Sequence, residues 1–185
     1  MARRRYVVLL RGINVGGKRK VPMADLRAML EHAGYDRVRT YIQSGNVIVE
    51  SDRPAAEIED HVEATLERAL GFPVLVVVRS EQQFRSVVAK APERFGAEPD
   101  KHHSDAVFLK APLTSRQAMG VVQLREGVDE AWPGTGVLYF QRLSAERTKS
   151  RMGKIVGTPE YERMTIRSWA TMRKLLALLD EKPAD

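Results

Sequence analysis

A ten-residue segment near the N-terminus, RGINVGGKRK at residues 11–20, combines glycines and cations in a way that could bind phosphate. It contains a glycine, four further residues and then Gly17-Lys18, so it lacks only the final hydroxyl of the phosphate-binding pattern G-x-x-x-x-G-K-[ST]. Arg19 stands in place of the hydroxyl that would hold magnesium. Pro22 also keeps a helix from beginning at Lys18, because the residue before a proline is driven toward extended geometry. The segment therefore does not predict a nucleotide hydrolase.

The same segment keeps the features of a simpler anion-binding loop. Its three glycines can bring backbone N–H groups close together, and its cations supply charge. A turn further along the chain, Ser44-Gly45-Asn46, is a candidate neighbour. Two interpretations stay open: a loop that binds a small phosphorylated or otherwise anionic ligand, and a glycine turn beside solvated lysines. The ligand-binding residues predicted here are Arg11, Gly12, Asn14, Gly16, Gly17, Lys18, Ser44 and Asn46.

The C-terminal sequence TIRSWATMRKL places a tryptophan close to arginines. Trp169 falls on the apolar face of the predicted last helix, whose other members are Met172, Leu176 and Leu179. The alternative is a binding-site tryptophan at the helix N-terminus, with Thr165 or Ser168 as the cap and Arg167 as an anion contact. Arg167 and Trp169 are therefore added to the predicted ligand-binding residues.

No set of nucleophile, acid and base can be assigned from the sequence. Ser44 lies outside a G-x-S-x-G elbow, and the four histidines have no evident serine or acidic partner. His102 and His103 are adjacent, so in an extended chain their rings point apart and form a poor metal pair. The chain contains no cysteine, which excludes a thiolate nucleophile or metal ligand. We predict no metal site; whether the protein is an enzyme, and with which cofactor, is left open.

The formal net charge of +6 at pH 7 is unevenly distributed along the chain. Residues 3–20 hold seven basic and no acidic residues, and residues 142–154 hold five basic residues and one acid. Such clusters concentrate anions near a protein, so the alternative function is association with nucleic acid through its phosphates. Base stacking as in an RNA-recognition module is not expected, because Tyr6 is the only aromatic residue in the two strands concerned. The sequence therefore favours a small anionic ligand over nucleic acid.

The hydrophobic pattern of the first 80 residues follows the order β-α-β-β-α-β. The run YVVLL at residues 6–10 predicts a buried strand, and apolar residues at helical spacing after Pro22 predict a helix. Two alternating runs around Ser44-Gly45-Asn46 predict a hairpin. A second helix after Pro54 and the strand PVLVVVRS complete the ferredoxin-like order.

The second half of the chain nearly repeats this pattern. A capping-box sequence that begins at Ser80 predicts one helix start, and Thr114-Ser115-Arg116-Gln117 predicts another. AVFLK predicts a strand, PGTG at residues 133–136 predicts a hairpin turn, and a helix closes the chain. We predict an α+β fold of two related halves packed as one unit, with the first half at 1–90, a linker at 91–105 and the second half at 106–185.

The sequence predicts neither export nor membrane insertion. The basic N-terminus is followed by an apolar stretch of only about five residues, short of the 7–15 of a signal-peptide core. No run approaches the roughly 18 apolar residues of a membrane span. Together with the absence of cysteine, this predicts a cytoplasmic protein with no membrane partner. The oligomeric state is left open.

Three blocks of the sequence resemble the bacterial family known as domain of unknown function 1697: LLRGINVGGKRKVPMADLRAML, VRTYIQSGNVIVES and the C-terminal KSRM and TIRSWATMRKLLALL. The resemblance extends over essentially the whole chain and implies paired α+β halves in a small bacterial protein. It implies no established reaction, cofactor or partner. The signature positions of the family fall on Arg11, Gly12, Asn14, Gly16, Gly17, Lys18, Pro22, Met23, Tyr41, Gln43, Ser44, Gly45, Asn46, Ser150, Thr165, Arg167, Trp169 and Thr171.

The chain departs from the family pattern in the C-terminal block. Arg151-Met152 stands where the family has a lysine-leucine pair, and Ser168 and Ala170 replace asparagines on either side of the tryptophan. Alanine has no polar side-chain atom. The resemblance therefore implies that part of any polar site built from those asparagines is missing here.

Overall fold

A computed structural model describes residues 3–181, which form two compact units. Unit 1 contains the described residues up to Arg85 and those from Leu175 onward, and unit 2 is Ser86–Lys174. The end of the chain thus belongs with the first unit, whereas the sequence placed it in the second half. Polar contacts join it to unit 1: Arg5 donates to the Leu179 carbonyl (2.5 Å), and Arg39 is paired with Glu181.

Unit 1 contains a four-stranded antiparallel sheet with two helices packed on one face. In chain order its elements are β1 (Arg4–Leu10), α1 (Met23–His32), β2 (Asp36–Tyr41), β3 (Asn46–Ser51), α2 (Ala55–Leu70) and β4 (Val76–Ser80). The strand order across the sheet is β2-β3-β1-β4, which places β1 between β3 and β4. This element order agrees with the order predicted for the first 80 residues.

The continuous apolar run in β1 is explained by burial of both faces of the strand. Tyr6, Val8 and Leu10 belong to a core whose helix residues include Leu26, Leu30, Ile58, Val62 and Leu66. The alternate residues Val7 and Leu9 are also fully buried. Because successive side chains of a strand point to opposite faces, a strand buried on both sides requires an apolar residue at every position.

The backbone N–H groups along the free edge of β4 are bonded to side chains. The three donor–acceptor pairs are Val76 with Glu63, Val78 with Glu59 and Ser80 with Gln83, at N···O distances of 2.8, 2.8 and 2.9 Å. Glu59 and Glu63 are four residues apart on α2 and so lie on one face of that helix. Arg79 Nη1 lies 3.9 Å from Glu59 Oε1. These three outward N–H groups of β4 are therefore already hydrogen-bonded to carboxylate and amide oxygens.

Unit 2 contains a second four-stranded antiparallel sheet. Its elements are α3 (Glu81–Ala89), which begins in unit 1, β5 (His102–Leu109), α4 (Ser115–Val121), β6 (Asp129–Gly134), β7 (Val137–Leu143), β8 (Met164–Ser168) and α5 (Trp169–Asp180), which ends in unit 1. Short 3-10 helices at Ser144–Lys149, Met152–Ile155 and Glu160–Arg163 connect β7 to β8. The strand order is β6-β7-β5-β8. In both sheets, therefore, the first strand lies between the third and the fourth.

The predicted capping box at Ser80 is present, and the second predicted helix start, at Thr114, also has one. At the start of α3, Ser80 Oγ accepts from the Gln83 N–H (3.2 Å) while Gln83 Oε1 accepts from the Ser80 N–H (2.9 Å). Thr114 and Gln117 make the same reciprocal pair at the start of α4. The two predicted helix starts are thereby confirmed, because the residues that make each cap are neighbours in the sequence.

Strand β5 begins earlier than the sequence indicates. It starts at His102, so residues 102–105 belong to a strand and the predicted linker 91–105 is too long at its C-terminal end. The missing signal is apolar character, since Ser104 and Asp105 are buried although polar. A further difference concerns α5, whose fully buried positions are Met172, Leu175 and Leu179, whereas Leu176 is half-buried.

The helices are amphipathic and short. Helix α2 has 16 residues, with Ile58, Val62 and Leu66 on its buried face. Among residues 3–181, no helix combines the length and the apolar character needed to cross a bilayer.

Candidate functional site

Residues 12–20 form a small exposed hairpin between β1 and α1. The backbones of Val15 and Lys18 pair as a bridge, and the Lys18 N–H donates to the Val15 carbonyl (3.1 Å). Gly16 and Gly17 form the tip, with φ of +58° and +73°. A two-residue turn of type I′ needs positive φ at both central positions, which glycine adopts without steric cost. The segment is thus a hairpin and not a loop that leads directly into a helix.

Asn14 ties the base of this hairpin to the rest of unit 1. Its backbone N–H donates to the Arg19 carbonyl across the hairpin (3.1 Å). Its side-chain Oδ1 accepts from the Val21 N–H (2.7 Å), and Nδ2 donates to the carbonyls of Val21 (2.9 Å) and Gln43 (2.8 Å). Both amide hydrogens and the amide oxygen are engaged. The sequence predicted Asn14 as a ligand donor, whereas its amide positions the hairpin here.

The turn between β2 and β3 lies against the hairpin. The Leu10 N–H donates to the Gly45 carbonyl (2.8 Å), in addition to the contact between Asn14 and Gln43. Gly45 has a φ of +81°, and a Cβ there would lie 2.7 Å from Leu10 Cβ and 2.9 Å from Ile13 Cδ1. Only glycine fits both this conformation and this space. The structure therefore brings the two predicted loop segments together.

The remaining predicted residues of these loops differ in exposure. Ser44 is exposed, whereas Asn46 is fully buried and donates from Nδ2 to Ser44 Oγ (3.0 Å) and to the Tyr41 carbonyl (3.1 Å). Arg11 is half-buried, and its backbone N–H donates to the Leu75 carbonyl (2.9 Å). Asn46 thus shapes the turn from beneath, while the Ser44 hydroxyl reaches the surface.

Unusual backbone conformations are concentrated in these two loops. Five residues other than glycine have positive φ among the described residues, and three of them belong to the hairpin or the turn: Asn14 (+55°), Arg19 (+49°) and Ile42 (+45°). Ile42 is branched at Cβ, which makes this conformation costly, and its side chain is 47% exposed. Strained residues of this kind cluster at ligand-binding sites and switches. No feature of the sequence pattern pointed to Ile42.

The exposed face of the hairpin is cationic. Lys18, Arg19 and Lys20 are consecutive and all exposed. Neither lysine ammonium has a carboxylate within ion-pair distance among residues 3–181. The guanidinium carbon of Arg19 lies 5.1 Å from the ring centre of Phe72, a cation–π contact that the sequence did not reveal. No carboxylate of the described residues therefore neutralises the ammonium groups of Lys18 and Lys20.

Three other basic residues of segment 3–20, Arg3, Arg4 and Arg5, lie at the opposite end of β1. Residues 3–5 precede or begin a strand of seven residues, so about 20 Å of extended chain separates them from the hairpin. Arg5 is paired with Glu81, with Nε 2.9 Å from Oε2. Segment 3–20 therefore does not form one continuous basic patch.

Arg167 lies in unit 2, at the end of β8. Its guanidinium is buried and donates to Thr165 Oγ1 (2.9 Å) and the Ile166 carbonyl (2.8 Å). Burial lowers the pKa of Arg167 to about 10, because desolvation disfavours the charged form. Ser168 caps the following helix, since its Oγ accepts from the Thr171 N–H (3.3 Å). Of the two caps considered from the sequence, Ser168 is the one observed.

Trp169 belongs to an aromatic cluster in unit 2. Its ring stands edge-on to Phe95, with centroids 5.0 Å apart, and Phe95 also contacts Trp132 and Tyr139. Gly96 lies directly against the indole: a Cβ there would be 2.1 Å from Trp169 Cδ1. Trp169 is half-buried. These contacts give the tryptophan a packing role within unit 2.

A buried carboxyl group occupies the polar end of β5. Asp105 Oδ1 lies 3.1 Å from His103 Nε2, and its Oδ2 lies 3.8 Å from Arg142 Nη1. Burial raises the pKa of Asp105 in spite of these cationic neighbours. In residues 3–181, no group of three or more histidine, aspartate or glutamate side chains is arranged to hold a metal ion.

The comparisons with known proteins identify the family. Residues 3–139 match the family described as protein of unknown function (DUF1697), a range that includes the hairpin and the turn but ends before the C-terminal block. The solved structure of conserved bacterial protein SP0830 from Streptococcus pneumoniae has a TM-score of 0.83 and 26% sequence identity, over 97% of this chain and 100% of that chain. No curated protein matches. The chain belongs to the DUF1697 family of proteins of unknown function.

Proposed function

We propose that the protein binds a small phosphorylated or otherwise anionic ligand at the hairpin of residues 12–20. The observation that carries the proposal is the exposure of Lys18 and Lys20 without a carboxylate partner among the described residues. Asn14 and Gly45 hold the backbone beneath these cations in one arrangement. A fixed group of unneutralised cations attracts anions and retains them through charge-assisted hydrogen bonds.

Seven other cations of unit 1 have a carboxylate partner within the described residues. Arginines with a carboxylate within ion-pair distance are Arg3, Arg5, Arg27, Arg37, Arg39, Arg79 and Arg85. Lys18 and Lys20 are left out of this pairing, although self-repulsion between cations destabilises a compact state. The concentration of strained backbone at the same place supports a binding role over a purely structural turn.

Within this proposal the loop residues have different tasks. Lys18, Lys20 and Arg19 supply charge, with Arg19 oriented by its contact with Phe72. The backbone at Gly16-Gly17 supplies N–H groups at the exposed tip. Arg11 and Ser44 complete the set of candidate contacts, whereas Gly12, Asn14 and Asn46 shape the site. The predicted contacts Arg167 and Trp169 lie in unit 2 and are not assigned to this site.

Association with nucleic acid is less well supported than a small ligand. The N-terminal arginines lie about 20 Å of strand away from the hairpin, so the extended basic patch that a polyanion would follow is interrupted in unit 1. The proposal concerns binding, because no nucleophile or acid–base pair has been identified near the hairpin.

The finer features of the fold follow from the same observations. We infer that both halves are variants of the ferredoxin-like unit, because each sheet places its first strand between its third and fourth. A cytoplasmic location is also part of this proposal, and it rests on the absence of cysteine.

The test is a thermal-shift screen of nucleotides, sugar phosphates and pyridoxal phosphate at low ionic strength. We expect at least one compound to raise the melting temperature of the wild type and to lose that effect in the double variant Lys18→Ala/Arg19→Ala. A matched control is Arg173→Ala/Lys174→Ala, which removes two exposed cations from α5 and should keep the full response.

Two results would contradict the proposal. One is the absence of any ligand that stabilises the wild type more than the Lys18→Ala/Arg19→Ala variant. The other is a stabilising ligand whose effect is lost equally in both double variants, because that would show a dependence on net charge alone. Strong retention of an oligonucleotide that falls steeply with salt, without any small-ligand response, would favour nucleic acid instead.

A further inference from the structure

A groove of about 510 Å³ lies between α1 and α2 in unit 1. Its polar lining residues are His32 from α1 and His61, Thr65 and Arg68 from α2. The other lining side chains are apolar, and none of the lining residues is acidic. A groove whose polar groups are all basic or neutral has the complementary charge for an anion. It shares no residue with the hairpin.

The hydrogen bonds of His61 fix which of its ring nitrogens can meet a ligand. Tyr35 Oη lies 2.9 Å from His61 Nδ1. This contact engages Nδ1, so Nε2 is the ring nitrogen left to meet a ligand. Nε2 donates to an anionic oxygen whenever it carries a proton, as it does in protonated His61.

His32 lines the same groove from α1. Its Nδ1 lies 2.7 Å from the Ala28 carbonyl, and because a carbonyl only accepts, Nδ1 carries the proton. With the proton on Nδ1, a neutral ring offers no N–H at Nε2, so His32 is not assigned a contact with the ligand.

The charges that face His61 are positive. Arg53, which precedes α2, and Arg68 on α2 both lower the pKa of His61, after the larger effect of burial. From α1 the titratable neighbour is His32, and from the segment before β2 it is Tyr35. Arg68 uses Nε to donate to the Ala64 carbonyl (3.2 Å), which leaves its terminal nitrogens for the groove.

We propose that this groove is a second anion site, which binds a phosphate or sulfate group through His61 Nε2–H, the Thr65 hydroxyl and the Arg68 guanidinium. Binding strengthens as the pH falls, because His61 becomes charged. A bound dianion in turn stabilises the charged form of His61 and opposes the influence of the two arginines.

The experiment is a pH titration of the histidine ring resonances by NMR, with sodium sulfate as the probe and sodium chloride of equal ionic strength as the reference. Sulfate keeps both charges throughout the range in which histidine titrates, so the probe itself does not change. We expect sulfate to raise the pKa of His61 by about half a unit to one unit. The apparent affinity should rise as the pH is lowered through the titration of His61, because the protonated ring adds a positive charge to the groove.

Variants locate the effect. Arg68→Ala should weaken sulfate binding about threefold to fivefold, the range for one exposed charge contact. Arg27→Ala removes an equally exposed arginine of α1 that is paired with Glu31 and does not line the groove, and it should change nothing. Lys18→Ala/Arg19→Ala should also keep the sulfate-induced shift in the pKa of His61. This proposal and the proposal for the hairpin are therefore tested independently of each other.

Two outcomes would overturn the inference. In the first, the His61 resonances move no more with sulfate than with chloride. In the second, Arg27→Ala weakens the response as much as Arg68→Ala, which would reduce the effect to general screening of net charge.

Discussion

The amide of Asn14 provides a sharp test of how the hairpin is held. Asn14→Ala removes three hydrogen bonds of 2.7, 2.8 and 2.9 Å that join the hairpin to Val21 and Gln43. The two part-buried bonds to Val21 contribute about 1 kcal/mol each and the exposed bond to Gln43 about half of that. Asparagine also tolerates its φ of +55° better than alanine, a difference of the order of 0.5 kcal/mol. We expect a total loss of about 3 kcal/mol.

The measurement is the free energy of unfolding from urea denaturation of the wild type and the variants. Asn14→Asp separates the two roles of the amide, because a carboxylate can still accept from the Val21 N–H but cannot donate to either carbonyl. It should be destabilised as well. Gln43→Ala is the matched control: Gln43 takes part through its backbone carbonyl, and loss of its exposed side chain should change stability by less than about 0.5 kcal/mol.

Hydrogen exchange gives an independent readout of the same contact. The Val21 N–H is bonded to Asn14 Oδ1 in the wild type and should lose its protection in Asn14→Ala. The reasoning is refuted if Asn14→Ala unfolds within about 0.5 kcal/mol of the wild type and the Val21 amide stays protected. That result would mean that packing of Gly45 and Ile13 alone fixes the hairpin.

Two further predictions concern unit 2. Gly96→Ala should cost about 3 kcal/mol or more and alter tryptophan fluorescence, because the new Cβ would lie 2.1 Å from Trp169 Cδ1. Gly127→Ala, also at positive φ but with no atom within 4 Å of the new Cβ, should cost only about 1 kcal/mol, and equal losses would exclude the clash as the cause. The pKa of Asp105 in the folded state lies above its ordinary value of 3.8, so the folded state binds this proton more tightly than the unfolded state does. The free energy of unfolding should therefore fall as the pH rises from 3.8 through the pKa of the folded state. Urea unfolding at several pH values should show a smaller fall in Asp105→Asn, and an unchanged fall would remove Asp105 as its source.

The sequence predicts those parts of the fold that depend on neighbouring residues. The capping box at Ser80 was predicted from residues three apart and is present, and the helix predicted to begin at Thr114 begins there with a capping box as well. The turn at Gly45 could be predicted because glycine adopts positive φ without steric cost. The early start of β5 was missed because His102 and His103 carry no apolar signal, although seven backbone pairings with β7 hold the strand from His102 onward.

The candidate site was predicted as a set of residues, and the structure assigns different tasks to them. The side-chain amide of Asn14 is hydrogen-bonded to the backbone of Val21 and to the carbonyl of Gln43. Gln43 is 29 residues away, and no local sequence pattern encodes such a contact. The same holds for the contact of Arg19 with Phe72 and for the exposed, strained Ile42. Spacing could find the glycines and cations of the hairpin, but not which polar atoms were already used within the fold.

The saturated edge of β4 limits how this protein can associate with others. A peptide or a second copy that adds a strand must find unpaired N–H groups on the edge it joins. Here Glu59, Glu63 and Gln83 already occupy the N–H groups of alternate β4 residues, two of them with charged oxygens. The side of unit 1 that ends in β4 is therefore closed to growth by strand addition. Recognition on that side therefore has to use side chains and not the backbone N–H groups of β4.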